Sequence, residues 1–153
     1  MVKKVAILAN GGDVAGFNAV IRGIVKTAEN HNIDCYGFID GYNGLLKNDY
    51  VKLSTAEDGN AEGILPKGGS IIGSSTNANV FNYKVTNEDG TVEYKDLSNV
   101  CIENIKKDEF DCIFTLGGDG TQKSARDFAT KGVNVIGVPK TIDNDVACTE
   151  ITF

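Results

Sequence analysis

Near its end the chain reads Gly137-Val138-Pro139-Lys140-Thr141-Ile142-Asp143-Asn144-Asp145, directly after the apolar run Val133-Asn134-Val135-Ile136. Asp143 and Asp145 therefore stand just past a buried-strand pattern, where open α/β sheets hold their ligands. One carboxylate can take a proton from an attacking hydroxyl, while the other orients it or helps to hold Mg²⁺. Lys140 is placed to offset phosphate charge as a point cation. An Asx-rich surface loop would carry the same residues.

A second turn, Gly117-Gly118-Asp119-Gly120-Thr121, follows the apolar run Ile113-Phe114-Thr115-Leu116. Its glycines leave room for a polyphosphate. Asp119 is a hard oxygen ligand suited to Mg²⁺, which keeps several waters and takes one or two carboxylates plus phosphate oxygens. Thr121 either caps the following helix or bonds a phosphate. A third turn, Gly11-Gly12-Asp13-Val14-Ala15-Gly16, follows Val5-Ala6-Ile7-Leu8-Ala9-Asn10. Here backbone N–H groups and a helix N-terminus can meet a phosphate. A plain glycine turn with Asp13 as helix N-cap accounts for the same residues. The Gly-Lys-Ser/Thr ending of a Walker A loop is absent.

The elements that must position these turns follow from periodicity. Residues 3–9 read as a buried parallel strand. Phe17, Val20, Ile21, Ile24, Val25 and Ala28 fall at helical spacing and predict a helix from Ala15 to Asn30. Ile33–Ile39 is the next strand, and Asp40-Gly41-Tyr42-Asn43-Gly44 is turn chemistry. Val51-Lys52-Leu53 reads as a short strand, and Gly68–Ser75 as a strand bracketed by glycine turns. Tyr83-Lys84-Val85 and Thr91-Val92-Glu93-Tyr94, joined through Asn87-Glu88-Asp89-Gly90, predict a β-hairpin. Leu97, Cys101, Ile102 and Ile105 give a second helix. Asp111–Leu116, Thr121–Thr130 and Val133–Val138 complete the chain as strand, helix and strand. The class is α/β, with a Rossmann-like open, mainly parallel sheet, flanking helices and a β-hairpin excursion.

A length of 153 residues predicts one domain with a real core, and 24% charged with 41% apolar residues describes an ordinary globular protein. The net charge of −6 and the lack of a basic stripe speak against nucleic-acid binding. Four scattered cysteines and a single histidine, His31, make a zinc site unexpected. Cys35 and Cys112 fall within strand patterns and are expected to be buried hydrophobes. His31 is expected at a helix C-terminus. Neither a leader nor a membrane-spanning run is read, so a cytoplasmic location is expected.

In these segments the chain resembles the phosphofructokinase family. The GGD-x-x-G-x-N-A-x-I-R opening is matched by Gly11 to Arg22, and GG-x-x-x-G-S/T-S by Gly68 to Ser75. GGDG-S/T is matched by Gly117 to Thr121, and P-x-TIDND by Pro139 to Asp145. The resemblance implies a 6-phosphofructokinase that moves a phosphoryl group from ATP to the 1-hydroxyl of fructose 6-phosphate. Asp143 would be the general base, with Thr141 and Asp145 supporting the transferring phosphoryl group and the metal. Asp119 would bind Mg²⁺. Gly11, Gly12, Gly117, Gly118, Gly120, Thr121 and Lys140 would hold the donor. In this family glycine at the position of Gly120 goes with ATP, and lysine at the position of Lys140 goes with pyrophosphate. Gly120 carries the greater weight, because a carboxylate there would fill space and repel the α-phosphate.

The chain departs from the family pattern at Ala15, where proline is usual, and after Ser75, where Thr76-Asn77 replaces the usual phosphate-binding arginine. The resemblance also implies that residues 1–153 form the N-terminal nucleotide-binding domain, without the second, sugar-phosphate domain. A sheet edge or apolar face is then expected to lie uncovered. Family members are expected to form homo-oligomers. Two further readings are a pyrophosphate-dependent enzyme and a catalytically inactive nucleotide-binding remnant. Kinases of the diacylglycerol or NAD type share a GGDGT turn, but the TIDND segment argues against them.

Overall fold

The computed structural model describes residues 1–76 and 79–153; Asn77, part of the departure noted above, lies outside them. In chain order the elements are β1 (Lys4–Ala9), α1 (Phe17–Asn30), β2 (Asp34–Phe38), α2 (Tyr42–Lys47) and β3 (Tyr50–Leu53). A 3-10 turn, Val80–Asn82, leads to β4 (Tyr83–Thr86) and β5 (Val92–Lys95). Then come α3 (Ser98–Lys107), β6 (Cys112–Gly117), α4 (Asp119–Thr130) and β7 (Val135–Pro139). The main sheet runs β3-β2-β1-β6-β7, and β4 and β5 form a separate hairpin. β1 pairs parallel with β2 and β6, and β6 pairs parallel with β7. β3 alone runs antiparallel, against β2.

The central strand β1 is apolar on both faces because both faces are covered. On one side Val5, Ile7 and Ala9 meet Phe17, Ile21, Val25 and Ala28 of α1. On the other, Ala6 and Leu8 meet residues of α2, α3 and α4: Tyr42, Leu45, Cys101, Ile105 and Phe128. Burial pushes the thiols of Cys35 and Cys101 up to about 12, so they act as small apolar groups at neutral pH.

The departures from sequence expectation have local causes. α1 starts at Phe17 rather than Ala15 because Gly16, at φ 83°, is left-handed and ends the preceding turn. His31 does close that helix, donating its backbone N–H to Ala28 O. Residues read as a turn become α2, because Tyr42 and Leu45 bury into the second core. Gly68–Ser75 forms no strand: Gly73 N–H donates to Ser70 O at 3.1 Å, and only Ser75 makes a β-bridge, to Asn10 just past β1. The expected hairpin forms, with Gly90 N–H donating to Asn87 O at 3.0 Å.

β7 is an edge strand, at the opposite side of the sheet from β3, and an apolar groove lies beside it. Cys112 and Phe114 of β6, Ile136 of β7, and Val5, Ile24 and Ala28 line this groove of about 440 Å³.

Phe38 is fully buried, with ring centroids 5.6 Å from Tyr50 and 5.4 Å from Phe110. Phe38→Ala should therefore cost about 3–5 kcal/mol of stability by loss of contact and cavity formation. Urea unfolding followed by circular dichroism checks this, and a loss below about 1 kcal/mol would contradict it.

Candidate functional site

After β1 the chain turns onto one face of the sheet, into α1; after β6 it turns onto the other, into α4. The two connections diverge at the carboxyl ends of adjacent parallel strands, which opens a crevice there. The crevice is a cleft of about 250 Å³. Five of the residues singled out in the sequence meet in its wall: Gly11 from the end of β1, and Gly118, Asp119, Gly120 and Thr121 from the start of α4. Asn10, Thr76, Asn79 and Ser124 complete the wall. Ser124 was not singled out in the sequence, although it lies one helical turn beyond Gly120 and Thr121. Asn10 is 8% exposed, and its Oδ1 has no hydrogen-bond partner among the described residues.

The glycines of the second turn serve different ends. Gly117, at φ 155°, packs so closely that a Cβ would stand 2.5 Å from Thr121 Oγ1 and against Asn10 O. It lies behind the wall and is glycine for packing. At Gly120, apart from its chain neighbours and the backbone of α4 itself, no atom lies within 4 Å of where a Cβ would stand. A Cβ there would meet open space, and Gly120 is one of the residues that line the cleft.

Thr121 does not cap α4. It is buried, donates its hydroxyl to Asn10 O at 3.2 Å, and accepts from Tyr42 at its own carbonyl at 3.3 Å. The N-cap of α4 is Gly118, with no side-chain cap. The first turn of α4, which lines the cleft, thus has no side-chain acceptor at its N-cap, and the helix dipole adds positive potential there. Asp119 pairs with Lys123 at 2.7 Å, both side chains half exposed or more, an arrangement that contributes little and yields easily. Among the described residues no three His, Cys, Asp or Glu side chains gather into a metal cage. A lone carboxylate beside a phosphate cleft fits Mg²⁺, which takes its other ligands from water and phosphate.

Lys140 and Asp13 meet across the site. Lys140 is 2% exposed, and its ammonium donates to the Asp13 carboxylate. The same carboxylate oxygen accepts from Ile142 N–H at 3.0 Å. Asp13 therefore does not cap α1; it ties the first turn to the third. Gly12 lies on that first turn, outside the cleft wall.

Thr141, Asp143 and Asp145 sit on the loop that continues β7, beside the cleft rather than in its wall. Thr141 Cβ lies 3.9 Å from where a Cβ on Gly118 would stand. Asp143 N–H donates to Thr141 Oγ1 at 3.2 Å, and its side chain is exposed. Thr152 closes the loop from behind through Thr141 O at 2.6 Å and Asn144 Oδ1 at 3.0 Å. Val146, 8% exposed, pins its far end.

The Lys140 ammonium holds the Asp13 carboxyl below its ordinary 3.8. The ionised form is the one the fold favours, so its contribution is complete above 3.8 and is lost as pH falls through the lower folded value. In an acid titration followed by NMR, the Asp13 carboxyl and the Ile142 amide should titrate together below 3.8; a midpoint at or above 3.8 would contradict the pairing.

The Phosphofructokinase family model matches residues 4–153. The chain is 50% identical over 153 residues to ATP-dependent 6-phosphofructokinase 2 of Clostridium perfringens, covering 99% of this chain and 41% of that protein. It is 40% identical over 151 residues to ATP-dependent 6-phosphofructokinase 3 of Bacteroides thetaiotaomicron, covering 98% and 42%. The chain thus spans about two fifths of the length of the curated relatives it matches. Its fold is similar to that of Pichia pastoris phosphofructokinase in the T-state, with a TM-score of 0.78 and 25% identity over 99% of this chain and 16% of that one. It is also similar to the pyrophosphate-dependent phosphofructokinase of Marinobacter aquaeolei, with a TM-score of 0.73 and 26% identity over 97% and 36%. Sequence and fold agree from β1 to the third turn: the chain belongs to the phosphofructokinase family.

Proposed function

We propose that residues 1–153 are the N-terminal, donor-binding part of an ATP-dependent 6-phosphofructokinase. Such an enzyme moves the γ-phosphoryl group of ATP to the 1-hydroxyl of fructose 6-phosphate. The observation that carries this reading is Gly120, a glycine that no packing contact requires, in the wall of a cleft that the N-terminus of α4 helps to line. Space and partial positive charge coincide there, as an adenine nucleotide's phosphates need.

In this reading Asp143 takes the proton from the attacking hydroxyl, and its exposed position leaves it open to a sugar phosphate. Thr141 and Asp145 flank it and orient the transferring group. Gly11, Gly12, Gly117, Gly118 and Thr121 shape the donor loop around Gly120. Asp119 would hold Mg²⁺, which supplies charge neutralisation on the phosphates when bound. The remaining sugar-phosphate contacts come from the length that the relatives have beyond this match, and the active form is a cytoplasmic homo-oligomer. Among the described residues no helix is long and apolar enough to cross a membrane. Lys140 favours a second reading, with pyrophosphate as donor.

Isothermal titration of the chain with Mg-ATP and with Mg-pyrophosphate tests the donor. Binding of Mg-ATP supports the proposal; binding of Mg-pyrophosphate alone selects the second reading. Gly120→Asp should weaken Mg-ATP by about tenfold or more, about 1.4 kcal/mol, and unchanged affinity would remove the argument from Gly120. In a full-length enzyme with this N-terminal sequence, Asp143→Asn should lower phosphoryl transfer by about 10²–10⁴ while nucleotide still binds. Near-normal turnover would overturn Asp143 as base.

A further inference from the structure

Asn10 is fixed through its backbone and unpartnered at its side chain. Its N–H donates to Leu116 O of β6 at 2.9 Å, and its carbonyl accepts from Thr121 Oγ1 of α4 at 3.2 Å. It also forms a parallel bridge with Ser75. The residue is 8% exposed and lines the cleft, yet its Oδ1 has no hydrogen-bond partner among the described residues. A buried amide without a partner lowers stability, and folded chains keep few of them. Packing alone gives no reason for an amide at this position.

The direction of the side chain follows from the strand. Val5, Ile7 and Ala9 of β1 face α1, while Ala6 and Leu8 face α2, α3 and α4. Asn10 continues the second set and emerges on the side of α4, whose first turn lines the same cleft. Its Oδ1 is sealed against Gly41, where a Cβ would stand 2.8 Å from that oxygen and closer still to Ala9 O. Gly41 thus makes room for one end of the amide. Nδ2 diverges from Oδ1 across the amide plane and donates to no described residue, so it is the polar atom left for the cleft.

Building on the donor-cleft reading, we propose that Asn10 is a binding residue for the phosphoryl donor: its side-chain N–H2 group donates to a phosphate oxygen lying at the start of α4. The partial positive charge of the helix N-terminus and a neutral, prepositioned donor then act on the same phosphate. A hydrogen bond to a charged oxygen is stronger than one between neutral groups. The Asn10 backbone is already fixed, so little ordering is required when the ligand arrives. The unmatched Oδ1 is what the fold gives up to hold Nδ2 toward the ligand.

The test is titration of the chain and its Asn10→Ala variant with Mg-ATP and with Mg-pyrophosphate, beside urea unfolding of both without ligand. The variant should bind the donor about tenfold or more weakly. Without ligand it should be as stable as the unaltered chain or more so, because it loses a buried acceptor that had no partner. Unchanged affinity overturns the proposal. Should Asn10→Ala lose stability or fail to fold, the Asn10 side-chain NH2 signals of the unaltered chain decide by NMR. Under saturating donor they should shift and exchange more slowly with water; signals that do neither overturn the proposal. The two readings fail separately. A chain that binds Mg-pyrophosphate and not Mg-ATP, and binds it more weakly with Asn10→Ala, keeps the role of Asn10 and removes the ATP reading. A chain that binds Mg-ATP equally with and without the Asn10 amide does the reverse. Binding of neither donor overturns both.

Discussion

Parallel pairing of β1 with β6, and of β6 with β7, is the constraint on which the rest of the site depends. Parallel strands deliver their carboxyl ends to the same edge of the sheet. Register then places Ala9 beside Leu116 and Gly117 beside Pro139, so the turns that follow emerge side by side. The chain leaves β1 and β6 onto opposite faces, and the cleft is the gap this divergence opens.

Within that frame, polar contacts do the finer positioning. Thr121 joins the start of α4 to the end of β1 through Asn10 O, and Tyr42 from α2 reaches the carbonyl of the same threonine. Each contact is neutral and contributes on the order of 1 kcal/mol. The Lys140–Asp13 contact differs in kind, because one partner is a charge removed from water. Losing either partner leaves the other worse off, which makes the pair a determinant of loop geometry more than a source of stability.

The sheet and its helices were legible because Lys4–Ala9 is a nearly continuous apolar run and the apolar residues of Phe17–Asn30 recur at helical spacing. α2 was not, since six residues give too short a window for a period to appear. Gly68–Ser75 carried apolar residues between glycines and so looked like a strand, but the bend at Ser70–Gly73 turns it away from pairing. Glycine-rich turns pointed to the cleft, yet could not separate Gly117, required by packing, from Gly120, required by nothing in the protein. Thr76 and Asn79 enter the wall from irregular chain that offers no pattern. The partnership of Asp13 with Lys140 spans 127 positions and is visible only once the strands are paired.

The third turn is slung between unlike supports. At one end Lys140 and Ile142 hold Asp13; at the other the apolar side chain of Val146 is buried. Asp143 hangs between them as the continuation of an edge strand. Ionic and apolar attachments answer to different features of the solvent: cooling weakens an apolar contact and leaves an ion contact largely intact. The segment is therefore held by two attachments of different kind, and temperature alters the balance between them.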